Sequence, residues 1–310
     1  MARMTWDALP PPLRTQIGGA LDSPVTTTES QQEGWSPGSA DRVRAASGRR
    51  AFVKALARSH NPFGFELHTR EAGNMALLPS SVRAPQLIET IHYADSDDWI
   101  ALVLEDVDGD HPGGAAEATH APAVLDALMT LRSDPGTANQ FPPLAHTYRS
   151  SYAVWERLLS VGLPEALPAE VLADAHRCAA AATGVGAVLT GGDLVHGDCR
   201  ADNLLIDAAG AVWLIDWPWA ARGPRWFDGL TYLLDTQFRG TGVDADSLIE
   251  SHPLFAESTP ERIDTVLAWI AGVHIENSTR PAPPNMPGLR DFQRRQGIAA
   301  AHWFHSRQNA

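Results

Sequence analysis

Three oxygen-bearing side chains stand at short intervals in one stretch of the chain: Asp198, Asn203 and Asp216. The stretch reads Leu194-Val195-His196-Gly197-Asp198-Cys199-Arg200-Ala201-Asp202-Asn203-Leu204-Leu205-Ile206, then Val212-Trp213-Leu214-Ile215-Asp216-Trp217. An aspartate on a tight turn after a strand can accept a hydrogen bond from an attacking hydroxyl. An asparagine five residues later, where the chain re-enters a strand, can face the same cleft, and Asp216 across a short hairpin can join it. Carboxylate and amide oxygens are the ligands a hard cation such as Mg2+ prefers. The chemistry these residues would serve is phosphoryl transfer, which needs a group to orient the nucleophile and a metal beside the phosphates. The plainer reading of His196 and Asp198 is that they cap a turn between strands.

The elements that must position these residues follow from the pattern upstream and downstream. A short helix over Trp6 to Leu21 is expected to be broken by Pro10, Pro11 and Pro12. From Val25 the chain reads as strand, glycine-bearing loop (Gly34 to Ser39), strand (Asp41 to Ala45), turn at Ser47-Gly48, and strand (Arg50 to Ala55). A helix is expected from about Glu66 to Leu78, ended by Pro79, and a strand from Trp99 to Leu104. Helical periodicity then dominates: Val124, Leu125, Leu128 and Leu131 share one face, as do Val266, Leu267, Ile270 and Val273. Short strands return around Ala208-Ala209-Gly210. A β-rich front and a helical back predict an α+β protein of two lobes joined near residues 105–109.

Bulk properties bound the class. With 310 residues and 44% hydrophobic content, the chain can bury a sizeable core. A formal charge of -13 disfavours non-specific binding to nucleic acid. Two cysteines, Cys178 and Cys199, lack metal-ligand spacing and make no disulfide scaffold. No apolar run has the length of a signal-peptide core or a membrane helix, so no membrane partner and a cytoplasmic location are expected. No GxxxxGK[ST] supports a Walker-type site, and no HExxH supports a zinc enzyme.

HGDxxxxN followed by IDW resembles the catalytic loop and metal aspartate of the aminoglycoside phosphotransferase and choline kinase group, relatives of the protein kinases with H-R-D-x-x-x-x-N and D-F-G. The resemblance implies a bilobal protein-kinase-like fold. It divides the chain into a small nucleotide-phosphate-binding lobe (1–104), a hinge (105–109) and a larger catalytic and substrate-binding lobe (110–310). It implies that Asp198 orients or deprotonates the hydroxyl, that Asn203 and Asp216 bind Mg2+, that His196 braces the loop, and that Gly197 permits its turn. Asp228, in Arg225-Trp226-Phe227-Asp228, would start a helix and hydrogen-bond back to the loop. Lys54 would contact phosphate and pair with a glutamate on the next helix, with Glu71 preferred to Glu66. Ser36 and Gly38 would approach the phosphates, and adenine would meet backbone groups near Glu105 and Val107. Taken singly, Lys54 reads as a solvated strand residue and Gly34 to Ser39 as a generic turn, while residues 105–109 read equally as an acidic strand end; the order of the motifs is what reverses the reading of Lys54.

The function this implies is a small-molecule kinase transferring the terminal phosphoryl group of ATP or GTP to a hydroxyl of an amino-sugar, aminoglycoside or similar metabolite. The alternative is a nucleotide-binding pseudokinase without turnover. HGD in place of HRD, Asp216-Trp217 without Phe-Gly, and the lack of A-P-E separate the chain from protein kinases. No motif in residues 110–190 or 240–310 identifies the acceptor, and none reports an oligomeric state.

Overall fold

The computed structural model describes residues 4–31, 37–131 and 135–309. In chain order its elements begin with α1 (Pro11–Ala20), β1 (Val25–Ser30), β2 (Ser39–Ala45), β3 (Arg50–Ala57) and α2 (Pro62–Met75). β4 (Leu87–Ala94), β5 (Asp98–Leu104) and β6 (Gly109–Asp110) follow. Then come α3 (Glu117–Met129), α4 (Pro135–Ala138), α5 (Leu144–Thr147), α6 (Val154–Val161), α7 (Ala169–Ala181) and α8 (Val185–Val188). β7 (Asp193–Val195), β8 (Leu204–Asp207), β9 (Val212–Leu214) and β10 (Ala221–Gly223) precede α9 (Phe227–Arg239), α10 (Ala245–Ser251), α11 (Pro260–Ser278) and α12 (Leu289–Gln308). The chain packs into two units. One comprises Met1–His111, Asp202–Trp219 and Pro283–Pro287, and the other Pro112–Ala201, Ala220–Ala282 and Gly288–Ala310. The segment carrying Asn203 and Asp216 thus belongs to the β-rich unit, although helical segments flank it in sequence.

The first unit is built on an antiparallel sheet in the order β1-β2-β3-β5-β4. Alternate residues of a strand point to opposite faces. Val43, Ala51, Val53, Ala55, Ala101 and Val103 face a core completed by Trp6, Leu13, Ile17 and Leu21 from α1 and the chain on either side of it. Lys54, flanked laterally by Ala40 and Leu102, therefore lies on the other face. The prolines expected to break the first helix instead start it: Pro11 and Pro12 occupy its opening turn, where a missing N–H costs nothing. Likewise α2 begins before Glu66, because Asn61 caps it through Gly64 N–H at 2.7 Å and Pro62 follows at once. β8 and β9 form a hairpin whose tight end is held by Asp207, which accepts from Ala209 and Ala211 N–H, both at 2.9 Å.

Among the described residues, the regular structure of the second unit is helical apart from the β7–β10 pair. Val124, Leu125, Leu128 and Leu131 are buried as their spacing predicts. On α11 the buried stripe runs through Ile263, Val266, Leu267, Ile270 and Ile275, while Val273 is half-buried at its edge. Trp155 of α6 donates its indole N–H to the Ala268 carbonyl at 2.7 Å, which ties α6 to α11.

The approach to β7 depends on a glycine. A Cβ at Gly191 would sit 2.1 Å from the Gly223 carbonyl oxygen and 2.3 Å from Pro224 N, both backbone atoms that cannot rotate aside. Gly191→Ala should therefore cost about 1–3 kcal/mol by displacing β10 against β7. Urea unfolding of the variant checks this, and an unchanged midpoint would contradict it.

Candidate active site

In the first unit, β3 and α2 bring a lysine to a glutamate. Lys54 Nζ lies 2.7 and 3.0 Å from the two Glu71 carboxylate oxygens and 2.8 Å from Asp216 Oδ1. Glu66 is not part of this cluster; it reaches Arg58 at 2.7 Å near the surface. Glu71 is buried, Lys54 nearly so, and Asp216 is 41% exposed. Burial acts to lower the Lys54 ammonium, but the Asp216 and Glu71 charges outweigh it and hold the group above its ordinary value. Glu71 is pushed up to about 7, by burial first and also by the Asp216 charge, while Lys54 pulls it down.

Asn203 and Asp216 stand at the open end of the β8–β9 hairpin. Leu204 pairs with Leu214, and just beyond that pair Ile215 N–H donates to the Asn203 carbonyl at 3.0 Å. Asp216 has φ +67°, a left-handed conformation that a non-glycine residue adopts at a local cost of about 1–3 kcal/mol. It is held there by Lys54 and by Asn74, which donates to the Trp217 carbonyl at 2.8 Å. One carboxylate and one carboxamide are hard oxygen donors, and this set suits Mg2+. Among the described residues no cluster of three or more His, Cys, Asp or Glu could hold a metal ion. Two protein ligands fit a cation that keeps its other positions for phosphate oxygens and water.

Of the loop residues, Ser36 lies outside the described residues. Gly38 is packed against β3: a Cβ there would be 2.6 Å from the Ala55 carbonyl oxygen. Its lack of a side chain thus serves the approach to the strand carrying Lys54. At residues 105–109, Glu105 N–H donates to the Gln86 carbonyl at 2.8 Å, and the Val107 carbonyl accepts from Arg42 at 3.2 Å. Those bonds leave the Glu105 carbonyl and the Val107 N–H as the groups not engaged by them, an acceptor and a donor two residues apart. The segment is anchored by Asp106, whose carboxylate meets Arg50 at 2.6 Å and Arg42 at 3.5 Å.

In the second unit, β7 leads into the loop that carries Asp198. Gly197 has φ +82°, which admits the turn. Asp228, in the first turn of α9, accepts from His196 N–H at 2.6 Å and Gly197 N–H at 2.9 Å. Burial pushes the Asp228 carboxyl up, and His196 with the two N–H donors pulls it back. His196 is itself buried and accepts from Asp198 N–H through Nδ1 at 3.3 Å. Arg200 donates to Asp198 Oδ1 at 2.7 Å. Cys199 stays a thiol, because burial and then the Asp228, Asp198 and Asp235 charges raise it well above its ordinary value.

Several contributors escaped the sequence reading. Asn74 stands three residues after Glu71, on the same side of α2, which could have marked it. Arg200 sits two residues after Asp198 and was legible only as part of the motif. Asp235, which accepts from Ala201 N–H at 3.1 Å, is seven residues after Asp228 and so on the same helix face.

A strand lysine joined to a helix glutamate, a metal-type aspartate after a hairpin, and an Asp-bearing loop held by a helix carboxylate are the parts of a kinase-like phosphotransferase. The family model described as the phosphotransferase enzyme family (APH) matches residues 37–257, a span that holds every one of these residues. The chain belongs to that family and is an ATP-dependent enzyme that phosphorylates an alcohol group. No curated protein matches the sequence. Among solved structures, aminoglycoside phosphotransferase APH(4)-Ia is similar with 14% identity and a TM-score of 0.61, over 96% of this chain and 97% of that one. Spectinomycin phosphotransferase APH(9)-Ia, in complex with ADP and spectinomycin, gives 12% identity and 0.56, over 95% and 98%. Macrolide 2'-phosphotransferase MphH from Brachybacterium faecium gives 14% and 0.54, over 94% and 98%. These likenesses concern the protein-kinase-like fold.

The Lys54–Glu71 pair has a pH signature. The folded protein binds the Glu71 proton more tightly than the unfolded chain, where the value is near 4.5, so the stability linked to this group declines as pH rises from there through about 7. Lys54→Met strips Glu71 of its cation and extends that decline upward. The variant should lose about 3–5 kcal/mol at pH 8 and less at pH 6, where Glu71 can take up a proton. Urea unfolding at both pH values checks this; equal losses would contradict it.

Proposed function

We propose that the protein transfers the terminal phosphoryl group of ATP to a hydroxyl of an amino-sugar, an aminoglycoside or a similar small metabolite, within the cytoplasm. The observation that carries this reading is Lys54 Nζ in simultaneous contact with Glu71 and Asp216, a preorganised cation beside a carboxylate. In this reading Lys54 binds phosphate oxygens and Glu71 keeps its ammonium aimed at them. Gly38 belongs to the loop over the phosphates, and the Glu105 carbonyl with the Val107 N–H meets the base edge. Mg2+ on Asn203 and Asp216 would offset the charge that develops on the phosphates.

Asp198 accepts the hydrogen bond of the acceptor hydroxyl and aligns its oxygen for in-line attack. His196, Gly197 and Asp228 keep the Asp198 loop in one conformation, so that catalysis rests on positioning and charge more than on proton abstraction. Fold likeness to aminoglycoside, spectinomycin and macrolide phosphotransferases supports an acceptor of that broad kind. No helix among the described residues is long and apolar enough to cross a membrane.

An assay of nucleotide consumption with Mg2+, run over aminoglycosides, amino sugars, neutral sugars and small amino alcohols, tests the proposal. Consumption should depend on one acceptor class, and Asp198→Ala should lower it by about a thousandfold or more while nucleotide binding persists. Near-normal turnover in Asp198→Ala would overturn the assignment.

A further inference from the structure

The loop around Asp198 is fastened at two points by one helix. Residues seven apart on an α-helix differ by two turns and about 20° in direction, so Asp228 and Asp235 share a face of α9. Asp228 holds the N–H groups of His196 and Gly197 on one side of Asp198. Asp235 holds the N–H of Ala201 on the other, at 3.1 Å, two residues before Asn203. Asp235 is buried, 6% exposed, and a buried carboxylate is expensive unless paired. Arg239, one turn on, supplies the charge at 2.8 Å.

Arg239 is in turn fixed by Glu117 of α3, which it grips with two bonds of 2.8 and 2.9 Å. Glu117 is wholly buried and also accepts from the Tyr232 hydroxyl at 2.8 Å. Burial favours a protonated Glu117, but Arg239 and Tyr232 hold its carboxyl below the usual range. A continuous line of charge-assisted bonds thus runs from Tyr232 and Glu117 through Arg239 and Asp235 to the backbone after Asp198.

We propose that Asp235, held in place by Arg239 and Glu117, is a positioning residue that sets the end of the catalytic loop between Asp198 and Asn203. The inference rests on the roles proposed above for those two residues. Asp228 fixes the entry to the loop, and the bond from Ala201 N–H to Asp235 adds a second fastening beyond Asp198. With Ala201 N–H fixed as well, Asp198 cannot drift relative to the residues that follow it, and a displacement of about 1 Å there is worth about 100-fold in rate.

Amide hydrogen exchange on the full chain, read on peptides covering residues 196–203, separates this role from plain structural support. The comparison is between wild type, Asp235→Asn and a control, Asp264→Asn, which removes a different helix carboxylate, the partner of Arg307 at 2.6 Å. Asp235→Asn should raise exchange in that peptide by about tenfold, with the β3 and α2 peptides unchanged, and Asp264→Asn should leave it as in wild type. With the acceptor found above, kcat of Asp235→Asn should fall by about 100-fold and the KM for ATP should stay within about twofold. Should Asp235→Asn fail to fold, Arg239→Lys, which keeps the charge but loses the planar fork, should show the same loop-specific rise at smaller amplitude. Wild-type exchange in the loop, or a rise spread evenly over the chain, overturns the proposal. Loosened exchange with unchanged kcat overturns it too. If wild type turns over no acceptor, the kinase reading fails, and the exchange result still decides whether Asp235 sets the loop.

Discussion

One buried cation with two carboxylates on it organises the first unit. Lys54 is carried inward on β3 on the face opposite the apolar core, where an ammonium is costly to desolvate without compensation. Glu71 and Asp216 supply that compensation from two different elements, α2 and the chain after β9. The same contacts register α2 against the sheet and hold Asp216 in a left-handed conformation it would otherwise avoid. The lysine and the carboxylate to which phosphate and metal binding are proposed are thereby placed before any ligand arrives. Preorganised charge of this kind does not have to be rearranged during the reaction, which is why it is effective.

The second unit solves a related problem with backbone donors. The Asp198 loop exposes N–H groups that no strand or helix would satisfy. Buried carboxylates on α9 accept them, Asp228 before Asp198 and Asp235 after it. Their own burial is offset by different means, N–H donors and His196 for Asp228, and the Arg239–Glu117 pair for Asp235. Cys199, ringed by these charges and sealed from solvent, remains an inert thiol in spite of its place next to Asp198. The chemistry proposed for this loop is therefore compatible with a non-nucleophilic cysteine inside it.

Much of this was legible in the residues. The successive strands leading to Lys54 and the hairpin between Asn203 and Asp216 follow from turn signals and motif spacing, and the brace from Asp228 from the family resemblance, whereas the edge strand β4 was not read. Local start signals were misread at two helices: Pro11-Pro12 opens α1, and Asn61-Pro62 opens α2 ahead of Glu66. In both, proline at a first turn is an initiator, and the breaker rule applies only further in. Asp235, Arg239 and Glu117 were invisible because each is an ordinary helix residue in sequence. Their meaning arises only when α3 and α9 pack and bring these charged groups onto one another. The acceptor-binding residues stay unread for the same reason, since helical surfaces recognise small molecules without a fixed spacing.

The most direct test of the Lys54-centred arrangement is calorimetric titration of ATP into wild type and Asp216→Asn, each with and without Mg2+. Mg2+ should tighten ATP binding to wild type by at least about tenfold, and Asp216→Asn should lose that gain while binding metal-free ATP nearly as before. Retention of the full Mg2+ effect in Asp216→Asn would contradict the assignment of Asp216 to the metal and with it the role of the Lys54 cluster.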